Sequence, residues 1–225
     1  MLSKSKDIRI KKIIKESLEE AYKADLNDNK LKSAKFVECF GTKLFNEFYP
    51  PDERLKKTSN NWVIKKELKV QRVNEDGTGK LPGEWLLDIV IAEYIEDPEI
   101  CISNVPFVKK ILWAVESESD TSIKAMADDF GKLAVVNADN YVYLNGINQD
   151  SDHSVERYID RRIRTVNKIL KTVDDHFKDK ELYYAFWPSP GKTLGRESYW
   201  EIDLNTLAKR VRVYKIDIYE LVEIM

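Results

Sequence analysis

The chain has 225 residues, 43% of them hydrophobic and 11% aromatic, with a formal net charge of −2, which is room for one sizeable core and the composition of an ordinary globular protein. The balance of charge excludes a global attraction for polyanions, so any nucleic-acid contact has to come from a local patch. With only His153 and His176, and with Cys39 and Cys101 in unrelated segments, imidazole-rich metal sites, histidine-based triads, disulfide frameworks and paired-cysteine zinc sites all lack their parts.

The opening MLSKSKDIRIKKIIKE is basic but has no uninterrupted apolar stretch, so neither a signal peptide nor a membrane span is expected, and the expected compartment is the cytoplasm. Residues 7 to 24 place Ile10, Ile13, Ile14, Ser17, Leu18 and Ala21 on one helical side. After the polar break DLNDNK, residues 31 to 48 form a second helix through Val37, Phe40, Leu44 and Phe48, stopped by Pro50 and Pro51. NWVIKKELKVQRV and EWLLDIVIAEY, joined by the polar NEDGTGKLPG, predict a hairpin with a long Gly-containing loop, and FVKKILWAVES predicts a third strand.

Residues 121 to 130 predict a helix through Ile123, Met126, Ala127 and Phe130, ending at Gly131, with KLAVVNA as a buried strand beyond it. The clearest helix spans 153 to 177, with Val155, Ile159, Ile163, Val166, Leu170 and Val173 on one face. ELYYAFW, SYWEIDL and VRVYKIDIYELVEI follow as three β-rich stretches, with NTLAKR as a short link. No repeat or low-complexity tract interrupts the chain, which reads as a single α/β domain over 1–225.

One constellation has chemical character. Residues two apart in a strand share a face, so Glu116 and Glu118 stand side by side at the end of ILWAVESES, with Leu112 and Ala114 on the same face and Ile111, Trp113 and Val115 on the other. Asp88 falls in mid-strand, sharing a face with Leu86 and Val90, where an ionised carboxylate is costly unless paired or bound to a cation. Few protein carboxylates, completed by water and substrate phosphates, are what Mg²⁺ requires. On the 31–48 helix, Ala34 and Gly41 lie on the side of Glu38, so that side can approach a sheet closely and bring Glu38 towards Asp88.

In this order and context the chain resembles the PD-(D/E)XK nuclease superfamily, the restriction-endonuclease-like fold, whose core is a helix, a three-strand meander, a helix and a strand. The resemblance covers about residues 30–146, leaving about 147–225 as a helical and β-rich C-terminal elaboration. It implies a metal-dependent, restriction-type DNA endonuclease using Mg²⁺, with Mn²⁺ as the alternative ion, and it implies DNA and a second copy of the chain as partners. The family's metal-binding and catalytic roles fall on Asp88, Glu116 and position 118, with Glu38 assisting from the first core helix. Position 118 is Glu where the family usually has Lys, and no Pro immediately precedes Asp88; the Glu-x-Glu form does occur among restriction enzymes of this fold.

Lys124, in the first turn of the helix after Glu118, is the candidate to replace the missing lysine; Lys132 lies at the far end, roughly a dozen ångströms away at ~1.5 Å per residue. The competing reading, carried by that missing lysine, is a non-catalytic nucleic-acid-binding or protein-interaction module on the same fold.

Arg157, Arg161, Arg164, Lys168 and Lys171 recur at spacings of four and three, a stripe suited to a phosphate backbone, with Arg162 beside it. PGKT lacks the first Gly of a phosphate-binding loop, because Phe186 stands there. DLNDNKLKSAKF fails as a calcium loop, since Lys30 and Phe36 replace the required Gly and Glu. Tyr183, Tyr184, Trp187, Tyr199 and Trp200 enrich the C-terminal strands and read first as packing residues.

Overall fold

A computed structural model describes residues 2–26, 28–59, 62–70, 72–74, 76, 80–81, 86–96, 107–120, 122–149, 151–173, 175–190 and 202–224. Two helices come first, α1 (Leu2–Lys23) and α2 (Asn29–Phe48), then a 3-10 turn (Pro51–Glu53) and strands β1 (Leu55–Lys57), β2 (Val63–Val70), β3 (Arg72–Val73), β4 (Lys80–Leu81), β5 (Ile89–Glu96) and β6 (Phe107–Glu118). The rest runs α3 (Ile123–Val135), β7 (Ala138–Ile147), α4 (Asp152–Leu170), β8 (Glu181–Pro188), α5 (Leu204–Lys209), β9 (Arg212–Asp217) and β10 (Glu220–Glu223).

Eight strands form one open sheet in the order β1-β2-β5-β6-β7-β8-β9-β10, while β3 and β4 pair separately. β6, β7 and β8 are parallel to one another, because α3 and α4 serve as crossovers between them, and the other neighbours are antiparallel. Both sheet faces are covered. α1, α2 and α5 pack on the side of Ile89, Trp113, Val115 and Leu144, and α3 and α4 on the side of Val90, Ala114, Tyr143 and Tyr184.

Local chemistry sets the helix starts. Asp28 caps α2 by accepting from the Lys30 and Leu31 N–H groups, Ser122 caps α3 through Ala125 N–H, and Ser151 caps α4 through Ser154 N–H. Ser17, on the apolar side of α1, is fully buried and donates its hydroxyl to the Ile13 carbonyl at 2.7 Å. At the amino ends of β7 and β8, Lys6 bonds to Asn140 and Glu181, while Lys215 bridges Glu181 and Asp7, pinning α1 to the sheet.

Between α2 and α3 the described chain runs through six strands, of which β2, β5 and β6 form an antiparallel meander, and several details differ from the expectation. α3 continues through Gly131 to Val135, because Met126, Phe130 and Leu133 keep one helical face buried and a side chain at Gly131 would meet nothing. KLAVVNA is therefore the helix end and a turn, and the buried strand is ADNYVYLNGI. β6 carries a bulge: Ile91 pairs with Trp113 and Ala92 with Ile111, so Leu112 is an extra residue and joins the face of Trp113 instead of that of Ala114.

Residues 86–88 form a bend before β5, so Asp88 stands at the strand's entrance and Leu86 is exposed. Of the expected strand SYWEIDL, residues 198–201 lie outside the described residues, and the chain from Leu204 is the helix α5, capped by Asp203 through Thr206 N–H. The expected hairpin loop NEDGTGKLPG lies largely outside the described residues, as do Tyr199 and Trp200. Among the described residues no helix is long and apolar enough to cross a membrane.

Candidate metal centre

The carboxylates meet at the carboxyl end of β6. Ile89 pairs with Val115, which sets Asp88 across from Glu116, and Asp88 Oδ2 accepts the Ser117 N–H at 2.8 Å. Glu116 is 1% exposed; one of its oxygens, Oε2, lies 3.3 Å from Lys132 Nζ, and the other, Oε1, is buried with no hydrogen-bond partner among the described residues. Glu118 Oε1 accepts the Asp120 N–H at 2.6 Å, and its carboxyl is near enough to that of Asp129 for the two to interact. Asp129 in turn pairs with Lys132 at 2.6 Å, one helical turn along α3.

Burial, reinforced by the Asp88 charge, pushes Glu116 up to about 8, with Lys132 opposing the shift. Burial also raises Glu118, and the Asp129 carboxyl adds to the rise, while the Asp120 N–H pulls the other way. For Lys132 burial opposes the charge, but Asp129 and Glu116 together outweigh it and hold the ammonium above its ordinary value. Burial and neighbouring carboxyls thus make Glu116 and Glu118 hold their protons more readily than free glutamates, with Lys132 as the cation that opposes this at Glu116.

Asp88 lies across from Glu116, and Glu118, two residues further along β6, lines a cavity with Asp88. Glu38 is engaged elsewhere: it accepts the Val73 N–H at 3.2 Å and pairs with Lys35. The close approach of α2 is present, since a Cβ on Gly41 would stand 3.2 Å from Ile89 Cγ2, but it is Ser33, Ala34 and Val37 that reach the site. Lys124 is exposed on α3, and Lys132 is the lysine that meets Glu116. Helical side chains lean towards the helix N-terminus, so the long stem of Lys132 returns towards the strand end.

Asp129 and Lys132 are the site residues that sequence reasoning missed; the signal for them is an Asp-x-x-Lys pair beside the apolar stripe of Met126, Phe130 and Leu133. Beside the carboxylates lies a cavity of about 120 Å³, lined by Ser33, Ala34, Val37, Asp88, Ser117, Glu118, Ser119 and Trp187. Trp187, stacked on Phe36 at 3.8 Å, has a buried indole N–H with no partner among the described residues. Behind Ser119, the β7 strand passes so closely that a Cβ on Gly146 would sit 2.9 Å from the Ser119 Cα and 2.5 Å from Ser189 Oγ, so only glycine fits.

The α4 stripe is exposed along its length: Arg157, Arg161, Arg164 and Lys168 make no ion pair among the described residues, and Lys171 pairs with Glu220 at 3.1 Å. Arg162, expected as a further surface charge beside that stripe, is instead 1% exposed and faces the sheet.

Fold and site together define a three-layered α/β protein, an open eight-stranded mixed sheet with Asp88, Glu116, Glu118 and the Asp129–Lys132 pair near the end of a central strand. Comparisons with protein-family models, with curated proteins and with solved structures find no match for the chain. Among the described residues no three His, Cys, Asp or Glu side chains are gathered as a ready-made metal cage.

Proposed function

We propose that this protein is a Mg²⁺-dependent endodeoxyribonuclease of the restriction-endonuclease-like class, with Mn²⁺ able to replace Mg²⁺. The observation that carries this reading is Glu116, a deeply buried carboxylate with one oxygen on Lys132 and the other without a partner among the described residues, beside Asp88. A buried acid in that state is costly, and a hard divalent cation supplies the missing charge.

In this reading Asp88 and Glu116 hold the ion, which when bound polarises the scissile phosphate and lowers the pKa of its water. Glu118, oriented by the Asp120 N–H, would hold the attacking water or serve as a further ligand. Lys132 favours the ionised form of Glu116 against its burial and would present an ammonium to the anionic transition state, the part the family usually gives to position 118. Glu38 and Lys124 have no place in it. Cutting both strands takes two such sites, so a homodimer is the assembly this reading expects.

Two experiments bear on it. Calorimetric titration with Mn²⁺ gives a saturable heat for the wild type and none for Asp88→Ala, and equal, negligible heats for both overturn the metal site. Plasmid nicking with Mg²⁺ falls by on the order of 10³-fold in Asp88→Ala. A wild type that binds Mn²⁺ and DNA without cutting any DNA instead identifies the non-catalytic binding module, which Glu118 in the lysine's place favours.

The exposed α4 stripe is the DNA-tracking surface of this reading. Replacing Arg157, Arg161, Arg164 and Lys168 with Ala weakens binding of any duplex sequence alike. It also flattens the slope of log affinity against log salt by about one for each phosphate that is no longer neutralised, as measured by fluorescence anisotropy across a salt series.

A further inference from the structure

We propose that Arg162 is the positioning residue of the carboxylate site, fixing the turn between β6 and α3 and through it the Glu118 carboxylate. Its guanidinium, from the buried face of α4, donates from Nη1 to the Ser122 carbonyl at 3.0 Å and from Nη2 to the Asp120 carbonyl at 3.4 Å. The N–H of that same Asp120 holds Glu118 Oε1 at 2.6 Å, and the Ser122 hydroxyl caps α3, the helix that carries Asp129 and Lys132. One side chain therefore ties together the strand that bears Glu116 and Glu118 and the helix that bears their partners.

The fork is itself held in place. Arg162 Nη2 also donates to Tyr158 Oη at 3.1 Å, Asn145 Nδ2 donates to the same oxygen at 3.0 Å, and Tyr184 Oη donates to Asn145 Oδ1 at 2.6 Å. Asn145 is fully buried and lies beside Glu118 in the β6–β7 register. Arg162 makes no ion pair among the described residues, and its Nε has no partner there. A buried cation so incompletely satisfied is expensive for a purely structural tie, which a neutral side chain makes at lower cost. Its charge is useful beside the carboxylates, and a planar fork holds two carbonyls from separate nitrogens in a fixed geometry that a single ammonium nitrogen does not reproduce.

The inference rests on the metal-site reading for its purpose, but not for its geometry, and the test separates the two. In Arg162→Lys, amide hydrogen exchange of the segment 117–125 accelerates at least tenfold while the sheet core keeps its protection, and Mn²⁺ affinity falls 10- to 100-fold. Tyr158→Phe, which leaves both carbonyl contacts, changes either readout less than threefold. Faster exchange spread evenly over the protein, or unchanged exchange and affinity in Arg162→Lys, overturns the proposal. A wild type without Mn²⁺ binding, but with exchange accelerated locally in Arg162→Lys, leaves the clasp standing and removes the metal-site reading.

Discussion

Glu116→Gln makes the protein more stable and inactive at once. Glu116 titrates near 8 in the fold, above the 4.5 of an ordinary glutamate, so between those values the folded state keeps a proton that the unfolded chain has released. Stability is therefore fully present below about pH 4.5 and is lost as pH rises towards 8, by at most ~1.4 kcal/mol per unit. Glutamine has the same shape and no proton to lose. At pH 8 the variant is more stable by on the order of 2 kcal/mol, or roughly 4–8 °C in melting temperature for a chain of this size, and the gain shrinks towards zero at pH 5. Thermal melts of both proteins across pH 5–9 without metal check this; a Gln variant that melts lower throughout shows that Glu116 is a structural acid. The same variant gives no saturable Mn²⁺ heat, because the amide offers one neutral oxygen where the carboxylate offered a charge.

Lys132→Met separates charge from shape at the other end of that pair. Methionine matches most of the lysine stem, so packing on α3 is kept, but Glu116 loses its paired cation and Asp129 its ion pair. With the lysine gone, burial and Asp88 act on Glu116 unopposed, and its titration moves further upward. Under the proposed nuclease reading, cleavage at pH 7 falls by on the order of 10²–10⁴-fold, and the acid limb of the pH–rate profile shifts to higher pH, so part of the activity is recovered at pH 9. A fall in rate with an unmoved acid limb assigns Lys132 to phosphate contact alone. Because a third of the lysine side chain is exposed, solvent screens the pair and the stability cost stays within about 1 kcal/mol.

The contrast between Glu116 and its surroundings explains how much of the site can be read from the chain. That an acidic pair ends a strand, and that Asp88 precedes its neighbour, follow from period-two alternation and the order of elements. Those rules are local or depend on adjacent strands, and the Ile89–Val115 pairing sets Asp88 across from Glu116, although Asp88 stands in the bend before β5 and not in mid-strand. The bulge at Leu112 is not of that kind: nothing in ILWAVES marks an extra residue, and only the pairing with Ile91 and Ala92 displaces it. A helix end at Gly131 follows from treating glycine as a terminator, but burial of Met126, Phe130 and Leu133 outweighs its modest helix cost.

Arginines 161, 162 and 164 show the remaining limit. By residue type they are equivalent, and helical periodicity places 162 only beside the stripe. Packing of α4 on the sheet turns Arg162 inward onto two carbonyls, and leaves Arg161 and Arg164 towards solvent. Likewise Lys124 is near Glu118 in sequence, while Lys132 reaches Glu116 because α3 lies against β6.

Periodicity and order along the chain are enough for the helices with strong apolar stripes, the antiparallel meander and the placing of Asp88 across from Glu116. Layer packing, by contrast, selects which cations serve those carboxylates, how far Glu116 is buried, and the turn of Glu38 to Val73 and Lys35. Burial and partner choice are set by surfaces that meet across layers, and such surfaces leave no period in the chain.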